Sequence, residues 1–514
     1  MAPWKRKTTR DSLALAITQY AVRAMSMARN FVAARLLDPT SYGAWNALQL
    51  MMDYGAIAPL GTQQGLDQMV PARIVEGDAE RLVRAKRAAL FNVVVLTLLF
   101  SALGLGWASV GSSRMRAFWG LGGLTAAMFC VLLVNVANVG TGILRSHGDI
   151  GGFARWFMLQ GLIGSGLGLA LMVPFGRWGL LWGWLAGCLV AWLFVAWRGR
   201  GRVPLLPAPA LESFDLIQTG LPLYVFTASG IVMRNIDRIV VLRFLGTQAL
   251  GYYGLSVNVL TLLMAVPDSL VYVVYPQLVR RISEAGGDPV AIRDRVERLV
   301  RGVAVGLPAV AGLCALWSRD LVHALLPRYD ACVPPLQMLA FGATGLALSS
   351  FGSVVLMTVG RRIILVPAAV FLAALSGGLQ LLSLRWHGGL SGVAAASSVA
   401  YLISGGVLLA LAAAGLGHPF GRISEFLART LAPTGVAALA CWGALKLLLP
   451  LSPGWPGWSE LVRLVLASLA FLAAYVLLAS PFMRGIGFRS LLSEWNLPFL
   501  GRRNDSAGPG NGNG

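Results

Sequence analysis

Residues 234–254 read RNIDRIVVLRFLGTQALGYYG and set Arg234, Asp237 and Arg238 into an apolar run, where formal charge is expensive. The stretch has an echo near the N-terminus. RFLGTQALG at 243–251 keeps the frame of RLLDPTSYG at 35–43, an offset of 208 residues from Arg35 to Arg243. Held without gaps, the offset also aligns Pro59 with Pro267, Arg73 with Arg281 and Ile74 with Ile282, which points to an internal duplication. Each copy reads as a helix running out to a turn at a glycine, Gly43 or Gly251, then a proline-containing helix returning to a basic end. An even number of crossings between the copies gives them one orientation, related by an axis along the membrane normal. Parallel repeats of that kind are a transporter architecture with the site between the halves.

Composition requires the membrane. Of 514 residues 56% are hydrophobic and 12% charged, which defines an all-α integral membrane protein. Apolar stretches of the ~20 residues that cross a bilayer recur along the whole chain, and they predict about fourteen transmembrane helices. These cover 13–37, 42–75, 88–110, 118–144, 153–174, 179–197 and 214–245, then 250–278, 296–317, 335–359, 363–384, 390–416, 426–449 and 461–478. The basic start, MAPWKRKTTR, precedes a long helix with three arginines and no small-residue cleavage site, so it reads as retained rather than as a signal peptide.

The net charge of +20 raises a nucleic-acid partner as an alternative, and the placement of the basic residues argues against one. Twenty-eight of the 42 fall in alternate loops: Lys5, Arg6, Lys7 and Arg10; Arg73, Arg81, Arg84, Lys86 and Arg87; Arg145 and Arg155; Arg198, Arg200 and Arg202; Arg280, Arg281, Arg293, Arg295, Arg298 and Arg301; Arg361, Arg362, Arg422 and Arg429; Arg484, Arg489, Arg502 and Arg503. By the positive-inside rule these loops are cytoplasmic, both termini with them. The excess charge reports orientation, with some attraction to anionic membrane lipids. Arg23, Arg29, Arg35, Arg234, Arg238, Lys446 and Arg463 lie inside or at the edges of spans, and Arg35, Arg463 and Lys446 are near enough to helix ends to snorkel.

NIDRIVVLRFLGTQALGYYGLS, the matching NFVAARLLDPTSYGAWN and the fourteen-helix plan resemble the polysaccharide-transporter branch of the multidrug/oligosaccharidyl-lipid/polysaccharide exporter superfamily. That branch includes the Wzx-type O-antigen and exopolysaccharide repeat-unit flippases. The resemblance covers nearly the whole chain. It implies two pseudo-symmetric six-helix lobes around a central cavity and two helices outside them. In this chain the parts are a cytoplasmic tail 1–11, an N-lobe 12–198, a cytoplasmic linker 199–213, a C-lobe 214–416, two C-terminal helices 417–482 and a tail 483–514 of disordered composition. It also implies a location in the bacterial inner membrane and a cargo of undecaprenyl-pyrophosphate-linked oligosaccharide carried to the periplasmic leaflet by alternating access. A polysaccharide polymerase and chain-length machinery would be partners.

Such a cargo needs a wet, cationic, hydrogen-bonding path, and the spans supply polar stripes for one. The first carries Gln19, Arg23 and Asn30 on one face with Arg29 beside them, and the second carries Tyr42, Asn46, Gln49 and Asp53. The fourth adds Asn135, Asn138 and Arg145, the seventh Thr227, Arg234, Asp237 and Arg238, and the eighth Asp268, Tyr272 and Tyr275. The amides serve helix packing equally well. Asp237 beside Arg234 and Arg238 reads either as a structural ion pair or as the anchor of an arginine cluster. Excess arginine over carboxylate in a low-dielectric site calls for an anionic ligand or for Asp53 and Asp268, and the guanidinium fork suits phosphate. Pro59 and Pro267 are candidate hinges.

Other chemistries lack their residues. Cys130, Cys188, Cys314, Cys332 and Cys441 show no metal-ligand or redox spacing, and His147, His323, His387 and His418 fall in separate loops. GSGLGLA at 164–170 lies inside a span with no preceding strand, so it reads as helix packing rather than a dinucleotide fingerprint. With no phosphate loop to hold ATP and no cofactor site, transport would draw on a coupling ion, H+ or Na+, on membrane potential or on product consumption. The chain reads as a non-enzyme; a membrane polymerase or ligase would carry a large periplasmic loop with catalytic residues. Flipping of lipid II is the nearer alternative. Export of cationic drugs would favour intramembrane carboxylates over arginines.

Overall fold

The computed structural model describes residues 3–110, 113–204, 206–209, 212–448 and 458–483, and among them every regular element is helical. Sixteen α-helices run in chain order: α1 Pro3–Leu36, α2 Pro39–Gly55, α3 Thr62–Glu76, α4 Ala79–Val110, α5 Ser113–Ser146, α6 Ile150–Phe175, α7 Arg177–Arg198 and α8 Glu212–Val240. The second half continues with α9 Thr247–Leu263, α10 Ala265–Glu284, α11 Arg293–Leu325, α12 Val333–Thr358, α13 Arg362–Arg385, α14 Gly389–Gly415, α15 Phe420–Leu448 and α16 Trp458–Met483. They correspond to the fourteen predicted spans, two of which are broken. Among the described residues, ten helices are long and apolar enough to cross a membrane, and α9 with the start of α10 makes an eleventh bent by 42°.

The two breaks fall in register-equivalent places. The span predicted as continuous over 42–75 stops at Gly55, and Pro59 occupies the gap before α3. Proline has no N–H for the helix ladder, and the chain turns through positive φ at Leu60 (45°) and Gly61 (87°). The freed carbonyls find partners: Asn135 donates to Gly55 O at 3.0 Å, and the Tyr224 hydroxyl to Ile57 O at 3.0 Å. In the second half α9 ends at Leu263 and Pro267 sits in the first turn of α10. The N-terminal end also differs from expectation. The stretch 1–11 expected as a tail is helical from Pro3, continuous with α1. The tail 483–514 lies outside the described residues save Met483, the last residue of α16.

Local chemistry explains the helix starts that frame the site. Asp38 caps α2, its carboxylate accepting from Thr40 N at 3.0 Å and Ser41 N at 3.1 Å, with Pro39 at the first helical position. The glycine run at 164–170 is indeed a packing surface: a Cβ on Gly183 would lie 2.2 Å from Gly168 N, and one on Gly187 2.6 Å from Gly164 Cα. α15 and α16 sit against α11, with Tyr475 donating to Val305 O at 2.7 Å, Trp317 to Ser468 at 2.9 Å, and Arg463 paired with Asp320 at 3.0 Å.

Candidate functional site

The two repeated motifs meet each other. A Cβ on Gly43 would fall 1.9 Å from the carbonyl oxygen of Thr247, and one on Gly251 would fall 2.0 Å from that of Pro39. Residues 39 and 43 are register mates of 247 and 251, so the contact is isologous and a pseudo-two-fold axis passes between α2 and α9. One turn further, the Asn46 amide packs on Gly254, its own register mate. Tyr329 covers this end, its ring edge-on to Tyr42 and Tyr252 with centroids 6.0 Å away in each case, and its buried hydroxyl donates across the lobes to Leu37 O at 3.2 Å. Here the lobes are closed.

The axis relates α1 to α8 and α3 to α10, so the two seams beside it should be equivalent. They are not. Along α3 and α8 the backbones touch: a Cβ on Gly65 would lie 2.0 Å from Leu216 O and one on Gly220 2.0 Å from Gly61 O. Arg84 pairs with Glu212 at 3.2 Å near the start of that seam. Between α1 and α10 the contacts among the described residues are made by side chains, as Arg23 to Asp268 at 3.3 Å and Tyr20 to Ser269. Beside this seam Tyr20 is 43% and Tyr275 42% exposed.

The expected arginines divide into two kinds. Arg23 and Arg238 reach across between the lobes. Arg23 of α1 pairs with Asp268 of α10, and Arg238 of α8 pairs with Asp53 of α2 at 3.7 Å, so both ion pairs cross from lobe to lobe. Arg234 is exposed and has no hydrogen bond or ion pair among the described residues. Arg29 instead is buried, 3% exposed, with its guanidinium 5.7 Å from the Trp45 ring centroid and 5.4 Å from that of Trp184. It donates through Nε and one terminal nitrogen to Asn30 Oδ1 at 3.3 and 3.1 Å. Because arginine only donates, the Asn30 amide is oriented. Its nitrogen gives to Asn258 Oδ1 at 3.1 Å, and Asn258 gives to the Tyr42 hydroxyl at 2.7 Å, a relay that crosses the lobes.

Asp237 does not pair with either neighbouring arginine, as one reading of the sequence had it. It is 1% exposed and points into the C-lobe, accepting from Tyr253 Oη at 2.7 Å, Tyr401 Oη at 3.1 Å and the Arg238 N–H at 2.7 Å. Tyr253 also reaches Ser397, which receives a hydrogen bond from Gln380 at 3.0 Å. Tyrosine hydroxyls replace the cations as its partners.

A recess of about 280 Å³ beside Asp53, also lined by Asn135, Gln160, Trp184 and Asn235, extends the space between the lobes. Asn135 fastens the α2 break, and Arg145 pairs with Asp67 at 3.0 Å away from this recess. Thr227 bonds its own helix at Leu223 O. The side chains of Gln19 and Tyr272 lie outside the described residues. Asn258, Tyr253, Tyr401 and Tyr329 escaped the sequence reading because each finds its partner far along the chain, at separations of 228, 16, 164 and 292 residues.

Comparison with known proteins fits this geometry. An inward-facing multidrug resistance MATE family transporter of the MOP superfamily superposes with a TM-score of 0.64 at 17% identity, over 80% of this chain and 98% of that one. The lipid II flippase MurJ in an inward closed conformation gives 0.68 at 13% identity, over 92% and 100%. A MOP superfamily transporter from Pyrococcus furiosus, described as having a binding pocket of reversed polarity, gives 0.56 at 17%, over 81% and 95%. At these identities the likeness is one of fold. No curated protein is significantly similar to the chain. The profile of one family, polysaccharide biosynthesis protein, matches residues 32–334, which takes in both repeated motifs, the α2–α9 axis and the Arg238–Asp53 pair, and the chain belongs to that family.

Proposed function

We propose that the protein is a flippase that carries undecaprenyl-pyrophosphate-linked oligosaccharide repeat units across the bacterial inner membrane for O-antigen, exopolysaccharide or capsule synthesis. The observation that carries this reading is the inequality of the two seams. A lipid-linked cargo must bring a polar head into the protein while its polyprenyl tail stays in the bilayer, and that needs a lateral opening beside a hydrophilic site. The α1–α10 seam is such an opening, bridged by Arg23, Asp268, Tyr20 and Ser269, while its pseudo-symmetric mate is packed backbone on backbone.

The charges suggest how cargo changes the carrier. Without cargo, Arg23–Asp268 and Arg238–Asp53 hold the lobes together across the cavity. The second pair, at 3.7 Å, is well beyond the ~2.7–2.9 Å of a tight charge-assisted bond, and Arg234 has no partner among the described residues. A pyrophosphate would engage Arg234 first and then compete with both carboxylates, exchanging two lobe-crossing bonds for bonds to itself. The lobes are then free to rock about the α2–α9 axis, with the breaks at Pro59 and Pro267 as hinges. Asp237, buried among hydroxyls with no cation within 4 Å among the described residues, is the group where a proton or a monovalent cation would couple to this motion. The basic face is cytoplasmic in this scheme.

The test is polymer export in cells lacking the chromosomal gene. Arg234→Ala and Arg23→Ala each remove charge-assisted bonds of ~1.5–3 kcal/mol and should cut export about ten- to a hundredfold, with lysine rescuing partly. Arg35→Ala should be mild. Normal export by both alanine variants at normal protein abundance refutes the binding role. Lipid II accumulation in place of lost polymer would reassign the cargo.

A further inference from the structure

A second polar recess lies apart from the cavity between the lobes. α11 and α15 pack side by side and both begin at the arginine-rich face, where the 416–419 loop crosses between their N-termini. The recess there measures about 300 Å³ and is lined mainly by charge: four arginines against Asp294, Glu297 and Glu425, with His418 and Phe426. Three arginines are engaged. Arg293 donates to Leu416 O at 3.0 Å, Arg301 to Glu297 at 2.9 Å, and Arg429 to Glu425 at 2.5 Å. Arg422 has no partner among the described residues, and Arg301 Nε is buried and unbonded.

His418 makes the recess a built site rather than a solvated charge cluster. Its side chain is only 4% exposed, stacked on Phe426 at 9° between planes, with Nε2 on Glu297 at 3.1 Å. Burial lowers its pKa and keeps the ring neutral near pH 7, with Arg293 and Arg422 reinforcing the effect against Glu297. The proton on Nε2 then belongs to the Glu297 bond, and Nδ1 is a bare acceptor, buried without a partner. The unmet demands are therefore an anion for Arg422 and Arg301 and a hydrogen-bond donor for His418. The positive ends of two helices favour the anion further.

We propose that this recess is a headgroup site for an anionic phospholipid of the phosphatidylglycerol class, its phosphodiester on Arg422 and Arg301 and a glycerol hydroxyl donating to His418 Nδ1. The position supports a lipid source. The recess opens at the ends of membrane helices, and Phe420 beside it is 87% exposed, an aromatic surface that acyl chains would cover. The net positive count of the lining disfavours a zwitterionic headgroup. The site is independent of the cargo and of the Arg23–Arg234 cavity.

The experiment is native mass spectrometry of the full chain released from detergent with added phosphatidylglycerol, phosphatidylethanolamine or phosphatidylcholine, and with inorganic phosphate. Phosphatidylglycerol should bind most tightly, and Arg422→Gln should weaken it about tenfold, the loss of one charge-assisted contact. His418→Phe, which keeps the stacking, should erase the preference for phosphatidylglycerol over phosphatidylcholine. Arg319→Gln, at the far end of α11, should change nothing. Equal binding of all three lipids, or phosphatidylglycerol binding unchanged in Arg422→Gln, overturns the proposal. Inorganic phosphate that binds with the same Arg422 dependence while lipids do not overturns the lipid source.

Discussion

Gly43→Ala tests the geometry of the closed end directly. The added Cβ would lie 1.9 Å from Thr247 O, against a closest tolerated approach of 3.0 Å, so α2 and α9 must part by about 1.1 Å, the difference 3.0 − 1.9. Both atoms in conflict are on main chain, which no rotamer change relieves. Overpacking of this size costs ~1–3 kcal/mol, and it falls only on the state in which the motifs touch. An equilibrium between lobe arrangements then shifts about 5- to 150-fold. A carrier that is about 1% open at this end would become about 5–60% open. Because the contact is isologous, Gly251→Ala should do the same, whereas Gly443→Ala, with nothing within 4 Å of its Cβ, should not. Spin labels on the register mates Thr40 and Gln248, read by double electron–electron resonance, should show a longer-distance population in both motif variants. An unchanged distance distribution in Gly43→Ala and Gly251→Ala, at normal yield, refutes the axis contact.

Two further outcomes follow from the buried charges. Arg29→Lys keeps the charge but loses the fork that orients Asn30 and the flat face between two indoles; thermal stability should fall and the Thr40–Gln248 distance broaden, and wild-type values for both would make the relay irrelevant. Asp237→Asn keeps the shape of a carboxylate that only hydroxyls and one N–H contact, so the protein should accumulate normally while transport in proteoliposomes stops responding to the driving ion or proton gradient. Retained gradient dependence would remove Asp237 from the coupling step.

The sequence marks the spans, the prolines near their breaks and the repeat because these rest on local physics: apolar length, proline's missing donor, and a register that pairs residues directly. Partners are another matter. Asp237 finds Tyr401 164 residues away, and Asn30 finds Asn258 at a separation of 228. Nothing in the spacing of RNIDR says which way the helix turns its carboxylate. Arg29 carried the same signal as Arg23, an arginine inside a span, yet the indoles of Trp45 and Trp184 close over one and leave the other in the cavity. The inequality of the seams is invisible for a deeper reason. A duplicated sequence encodes two equivalent seams, and the one that closes is a property of a conformation.

The duplication nevertheless carries one more piece of reasoning. In the 208-residue register Arg29 is the mate of Asp237, since 29 + 208 = 237, and both are buried, 3% and 1% exposed. Each lobe therefore encloses one charge at the same point of its fold, with opposite sign, and each surrounds it with neutral groups: two indoles and an amide in one case, two phenols and a backbone N–H in the other. The chemistry of the two charges differs. A guanidinium stays protonated at any cellular pH, so Arg29 has one state and its environment holds one relay in place. A carboxylate has several, since a proton or a small cation can neutralise it in a site with no counter-ion. The two copies of one fold thus hold a fixed charge in one lobe and a variable one in the other. Asymmetry in the driving step would then begin in the C-lobe, and it would reach the cavity through helix α8, on which Asp237 is flanked by Arg234 and Arg238.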